Sequence, residues 1–108
     1  MTPSPGRIHF NRSQLQHAFK HAKDFGVTGN ASRQKLGEFA HAIESHIADS
    51  GTVAVSGSYR GLTVTHFVNP ATGLNVILDQ AEHFLTGWKL SQAQRTHVLR
   101  TGKLGGGK

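Results

Sequence analysis

The segment Thr63–Leu78, TVTHFVNPATGLNVIL, decides the fold class. β-Branched and polar residues alternate through Thr63–Val68, stop at Asn69-Pro70-Ala71-Thr72-Gly73, and resume over Leu74–Leu78. A period of two on either side of a cluster of turn formers reads as an antiparallel hairpin. Alternation places Thr63, Thr65 and Phe67 on one face and Leu62, Val64, His66 and Val68 on the other. His66 falls with the apolar set, so a buried, hydrogen-bonded imidazole is expected there. Upstream the same period begins at Thr52 (TVAVS) and continues into YRGLTVTHFV, with Tyr59, Arg60 and His66 all in strand. Downstream, after Asp79-Gln80, a further strand is expected over about His83–Lys89. Neighbouring strands joined by short turns make an antiparallel meander.

Outward from the strands the period changes to that of helices. Asn11 or Ser13 can cap a first helix that runs to about Phe25, where Gly26 stops it. Asn30 or Ser32 caps a second helix to about Ala48, whose Leu36, Phe39, Ala40, Ile43 and Ile47 keep the spacing of one buried stripe. Ser91 caps a last helix over about Gln92–Arg100, ended by Gly102. The expected fold is therefore α+β: N-terminal helices packed on a central antiparallel β-sheet, with a short C-terminal helix. One face of the sheet would be covered by helices and the other open to solvent or substrate. Residues 1–10 read as a linker to something upstream, 11–104 as one domain, and 105–108 as a flexible tail.

With 108 residues and no cysteine, the chain has the length of one domain and excludes disulfide frameworks, thiolate metal sites and cysteine nucleophiles. No run approaches the ~18 apolar residues of a membrane span, so no membrane insertion is expected. MTPSPGRI lacks the apolar centre of a secretory signal, so export by a leader of its own is not expected either. Twelve Lys and Arg against six Asp and Glu give a net charge of +6, with eight histidines besides. Such a surplus favours polyanions, nucleic acid first and an acidic protein or anionic membrane second.

In the first helix, Leu15, Ala18, Phe19 and Ala22 share one arc, while His17, Lys20, His21 and Asp24 share the opposite one. Three readings of that polar arc stay open. His17 and His21, four apart, have the spacing of two ligands to one metal, although no HExxH or Cys/His cluster adds a third. They are equally well solvent-facing histidines on a basic helix. In the third reading His21 carries a proton and Lys20 stabilises charge at a phosphate. A cation beside His21 favours the neutral imidazole that a general base needs. Near the far end, Leu85-Thr86-Gly87-Trp88-Lys89 places the single tryptophan between a hydroxyl, a glycine and a lysine. Trp88 is either a core residue or a stacking platform for an unpaired base, with Thr86 a donor to phosphate oxygen.

Four motifs in order resemble the nuclease domains of the colicin D-like toxins, including those at the C-termini of contact-dependent growth inhibition proteins. They are Phe19-Lys20-His21-Ala22-Lys23-Asp24-Phe25-Gly26, then Tyr59-Arg60-Gly61, then Asn69-Pro70 with Thr72-Gly73-Leu74-Asn75-Val76, and finally Gly87-Trp88-Lys89. They lie within about Leu15–Leu104. The resemblance implies a metal-independent tRNA endonuclease, with no cofactor, that cuts in the anticodon loop to leave a 2′,3′-cyclic phosphate and a 5′-hydroxyl. It implies His21 as catalytic acid/base, Lys20 as a required cation, and Thr86 and Trp88 in the active site. A member of the family carries a serine at the position of Thr86, so the hydroxyl is kept here, and a lysine at that of Ala18, so one cation is absent here. His17, Lys23, Arg60 and Lys89 are the expected further substrate contacts. An acidic cognate immunity protein is implied as partner, in keeping with the positive charge. So is a place at the C-terminus of a larger secreted or cell-surface toxin, delivered as a monomer into the cytoplasm of a target bacterium. The rival reading from another class is a non-enzymatic, basic nucleic-acid-binding module.

Overall fold

A computed structural model describes residues 8–104. The order is α1 (Arg12–Ala18), continued by a 3-10 helix (Phe19–Phe25), then α2 (Arg33–Ala48), β1 (Val53–Tyr59), β2 (Leu62–Val68), β3 (Leu74–Asp79), β4 (Phe84–Lys89), α3 (Gln92–Thr101) and β5 (Lys103–Leu104). The fold is α+β, with strand order β4-β3-β2-β1-β5. The expected hairpin forms, pairing Val68 with Asn75 and Val64 with Asp79. Asn69 organises its turn by accepting from the Ala71 and Thr72 amides.

Asn11 caps the first helix through its side-chain oxygen to the Ser13 and Gln14 amides, and Ser32 caps the second. Ser91 and Gln94 cap α3 reciprocally, satisfying two backbone donors that a helix start leaves open. Between β4 and α2 lies the main core, in which Leu15, Ala18, Ala22, Leu36, Phe39, Ile43 and Ile47 pack on Phe67, Val76, Leu78 and Phe84. Phe39 is its hub. Its ring meets Phe19, Phe25 and Phe84 edge-on at 5.8, 5.8 and 6.1 Å, so the 3-10 segment is fixed through two phenylalanines.

Four expectations are corrected. The second face of the sheet is not open throughout, because Val98 of α3 with Leu90 and Leu104 packs on Val64, Val68 and Ile77. α3 offers only a narrow apolar stripe, which is why its packing is weakly written in the sequence. The sheet is mixed, since β5 runs parallel to β1, pairing Tyr59 with Leu104. Arg60 is not in a strand: Arg60-Gly61 is the two-residue turn between β1 and β2, with φ of 50° and 84°. The packed part also begins before residue 11, since Ile8 is buried and His9 exchanges backbone hydrogen bonds with Glu82 and Phe84. The rest of the expected linker and the tail, residues 1–7 and 105–108, lie outside the described residues.

His66 is wholly buried, as its strand alternation predicts. Its Nε2–H donates to the carbonyls of Gly102 (2.8 Å) and Ser58 (3.0 Å), and Asn75 Nδ2 lies 3.2 Å from Nδ1. A single neutral side chain thus ties β1, β2, β3 and the end of α3 together. Gly57 makes room for this, because a Cβ there would overlap the Gly102 carbonyl.

Candidate active site

Helix α1 and its 3-10 continuation lie along the free edge of β4 and are bracketed to it at both ends. Gln14 Nε2 donates to the Leu85 carbonyl (2.6 Å), and Asp24 Oδ2 accepts from the Lys89 amide (3.0 Å). Both bonds occupy edge-strand groups that otherwise face water. A register irregularity at Ile77/Leu78 lets Phe84 pair with Leu78 and Thr86 with Ile77, leaving Leu85 as the extra residue. The bulge keeps Phe84 in the main core while Leu85, Thr86 and Trp88 border the cleft.

That cleft, of about 460 Å³, is lined by Gln14, His17, Lys20 and His21 from the helix, Tyr59, Arg60 and Leu62 from the first hairpin, Leu85, Thr86 and Trp88 from β4, and Gln94 from α3. The His21 ring lies 5.7 Å from the Trp88 ring, and Trp88 lies 6.1 Å from Tyr59. Trp88 Nε1 reaches Gln94 Oε1 at 3.5 Å, the same oxygen that caps α3. Partial burial pushes the His21 pKa down, and the positive charge of Lys20 pushes it further, against a smaller upward pull from Asp24. The neutral imidazole is therefore favoured over the imidazolium. A neutral proton acceptor, a cation on the adjacent residue, a hydroxyl and an aromatic wall converge on one opening. Such a constellation can take a proton from a hydroxyl and stabilise charge on a phosphate.

The sequence model of the Colicin D family matches residues 14–98. The chain belongs to the colicin D family. Colicin-D of Escherichia coli is 40% identical over 101 residues, covering 88% of this chain but only 14% of the relative's length. A ribonuclease from Escherichia coli, solved in complex with its inhibitor protein, superposes with a TM-score of 0.72 at 37% identity, over 84% of this chain and all of that one.

Within this colicin D family domain the expected residues do not all share one opening. His17, Lys20, His21, Arg60, Thr86 and Trp88 line the main cleft together. Lys23 does not; it lines a neighbouring groove with Phe19, Val27, Thr28 and Asn30, and Lys20 borders both. Lys89 lines neither opening, although its amide anchors Asp24. Sequence reasoning missed Gln14, Leu62, Leu85 and Gln94. The packing of α1 on β4 brings Gln14 into the cleft, the turn between β1 and β2 brings Leu62, the bulge Leu85, and the docking of α3 Gln94. Among the described residues no group of three or more His, Cys, Asp or Glu is arranged to hold a metal ion, and no helix is long and apolar enough to cross a membrane. His46 is buried, with Nε2 2.8 Å from the Phe67 carbonyl.

Proposed function

We propose that the domain is an antibacterial toxin ribonuclease that cleaves tRNA in the anticodon loop without a metal. His21 next to Lys20 in a cleft walled by Trp88 is the observation that carries the reading. Neutral His21 accepts the ribose 2′-hydroxyl proton, the 2′-oxygen bonds to phosphorus, and the bond to the 5′-oxygen breaks. The products are a 2′,3′-cyclic phosphate and a 5′-hydroxyl once the departing oxygen has taken a proton. Lys20 stabilises the extra negative charge on the phosphorane oxygens, and Thr86 hydrogen-bonds one of them. Trp88 forms the wall against which the reacting nucleotide lies. His17 and Arg60 add contacts inside the cleft. Lys23 extends positive charge along the groove that shares Lys20, and Lys89 adds positive charge outside both openings.

Family membership and the likeness to a ribonuclease solved with its inhibitor support a toxin with a cognate immunity protein. An acidic inhibitor suits this surface, because Lys20, Lys23, Arg60 and Lys89 stand outside the ion pairs of the described residues, Lys35–Glu38 and His83–Asp79. In this reading the domain is the C-terminal part of a larger secreted or cell-surface toxin and acts in the target cytoplasm. Incubation with total bacterial tRNA in chelator tests it. Discrete fragments are expected from the wild-type domain; salt-sensitive binding with no product would instead favour a binding module.

A further inference from the structure

Arg60 occupies a backbone conformation that its side chain does not favour. It is the first residue of a two-residue hairpin turn and has φ 50°, a region where asparagine, aspartate or glycine is preferred. Strained positions cluster where a side chain is needed at a particular place. Here the turn is held from outside, since Arg60 N donates to the Leu104 carbonyl (3.2 Å) and Tyr59 pairs with Leu104 in β5. The last described strand thus fixes the hairpin as a wall of the cleft.

What that wall presents is flat and positively charged. The Arg60 guanidinium carbon lies 5.3 Å from the centre of the Tyr59 ring, and the Tyr59 ring lies 6.1 Å from Trp88. Trp88 in turn meets His21, so Tyr59 is two ring contacts from the proposed proton carrier. Arg60 is exposed and outside the ion pairs of the described residues, which leaves its guanidinium free to face a ligand. Aromatic rings and guanidinium planes are the surfaces on which unpaired bases stack, and neither demands a particular base. The rings of Trp88 and Tyr59 are too close and too inclined, at 55°, for a base to enter between them. The stacking surface is therefore the outer one, made by Tyr59 and Arg60.

We propose that Tyr59 and Arg60 form a nucleobase shelf that seats an unpaired base flanking the phosphate attacked in the cleft. The assignment rests on the reading of the cleft as a ribonuclease site, and it adds a subsite to that reading. The shelf explains why a strained arginine stands in a turn that glycine or asparagine would close more easily. It also gives β5 a role in substrate binding, as the clamp on the turn.

The test first locates the scissile bond in an RNA that the wild-type domain cuts. That RNA is then made uncleavable by a 2′-deoxy sugar at the cut, and abasic nucleotides are placed singly on either side. Binding is followed by the fluorescence of Trp88, the only tryptophan. At one flanking position, base removal is expected to weaken wild-type binding about tenfold and to cost nothing further in Tyr59→Leu. With cleavable RNA, Tyr59→Leu is expected to raise KM by a similar factor and to change kcat much less. Arg60→Gly is expected to bind more weakly yet melt no lower than the wild type, because glycine relieves the positive φ. Equal abasic penalties in wild type and Tyr59→Leu at every flanking position would overturn the shelf, as would unchanged RNA affinity in Arg60→Gly. A wild-type domain that cuts no RNA would defeat the ribonuclease reading itself, and the shelf with it.

Discussion

His21 and His66 are both held toward the neutral form chiefly by burial, yet they sit in opposite kinds of place. His66 has both ring nitrogens engaged, Nε2 by two carbonyls and Nδ1 by Asn75, in an interior that no substrate can enter. His21 is perturbed by burial and by neighbouring charges alone, and it faces a cleft beside Lys20. Burial sets the protonation state in each case, and what faces the ring decides whether that state is structural or chemical. A lowered histidine pKa is thus no mark of catalysis without an opening in front of it.

The contrast can be broken most severely at His21. His21→Ala is expected to lower kcat/KM by about a hundred- to ten-thousandfold, with the thermal melt unchanged. Lys20→Ala is expected to slow cleavage by about a hundred- to a thousandfold, on the scale of losing a transition-state donor. Because Lys20 depresses the His21 pKa, the same variant should move the acidic limb of the rate profile to higher pH. A limb that stays in place would separate the two residues. His66→Ala is expected to do the reverse of His21→Ala, costing about 2–4 kcal/mol of stability, since it empties a buried site and takes a hydrogen-bond partner from the Ser58 and Gly102 carbonyls and from the Asn75 amide. Its kcat, measured well below the melt, should change less than about threefold.

The smallest effect expected is on stability against pH. His46 and His66 have folded pKa values below the ordinary histidine value of 6.5, so the unfolded chain binds more protons at acid pH. Their contribution is complete above about pH 6.5 and is lost as pH falls from there through the lowered values. Melts across pH 5–8 should show this slope, and His66→Ala should flatten it.

The strands of the central hairpin were legible because Thr63–Val68 and Leu74–Leu78 alternate cleanly around a turn that asparagine and glycine can close. Its burial of His66 was legible for the same reason. Arg60-Gly61 was not, because a two-residue turn interrupts the period without changing it, and an arginine at positive φ carries no turn signal. The polar arc of α1 placed His17, Lys20 and His21 together without any tertiary information. Lys23, one further turn around the helix, points into the adjoining groove. Gln14 and Gln94 came into view only with the packing of α1 on β4 and of α3 on the second sheet face. The mixed character of the sheet rests on two residues of β5, too short a segment to carry a period.

The central claim is that His21 moves the proton in a metal-free cleavage of RNA. Single-turnover cleavage of a tRNA substrate in saturating chelator, followed across pH with the new ends identified, tests it most directly. The expected result is 2′,3′-cyclic phosphate and 5′-hydroxyl ends, a rate that falls only below about pH 6.5, and a His21→Ala variant slower by at least about a hundredfold at neutral pH. Cleavage by His21→Ala at the wild-type rate, or activity that appears only when a divalent metal is restored, would contradict it.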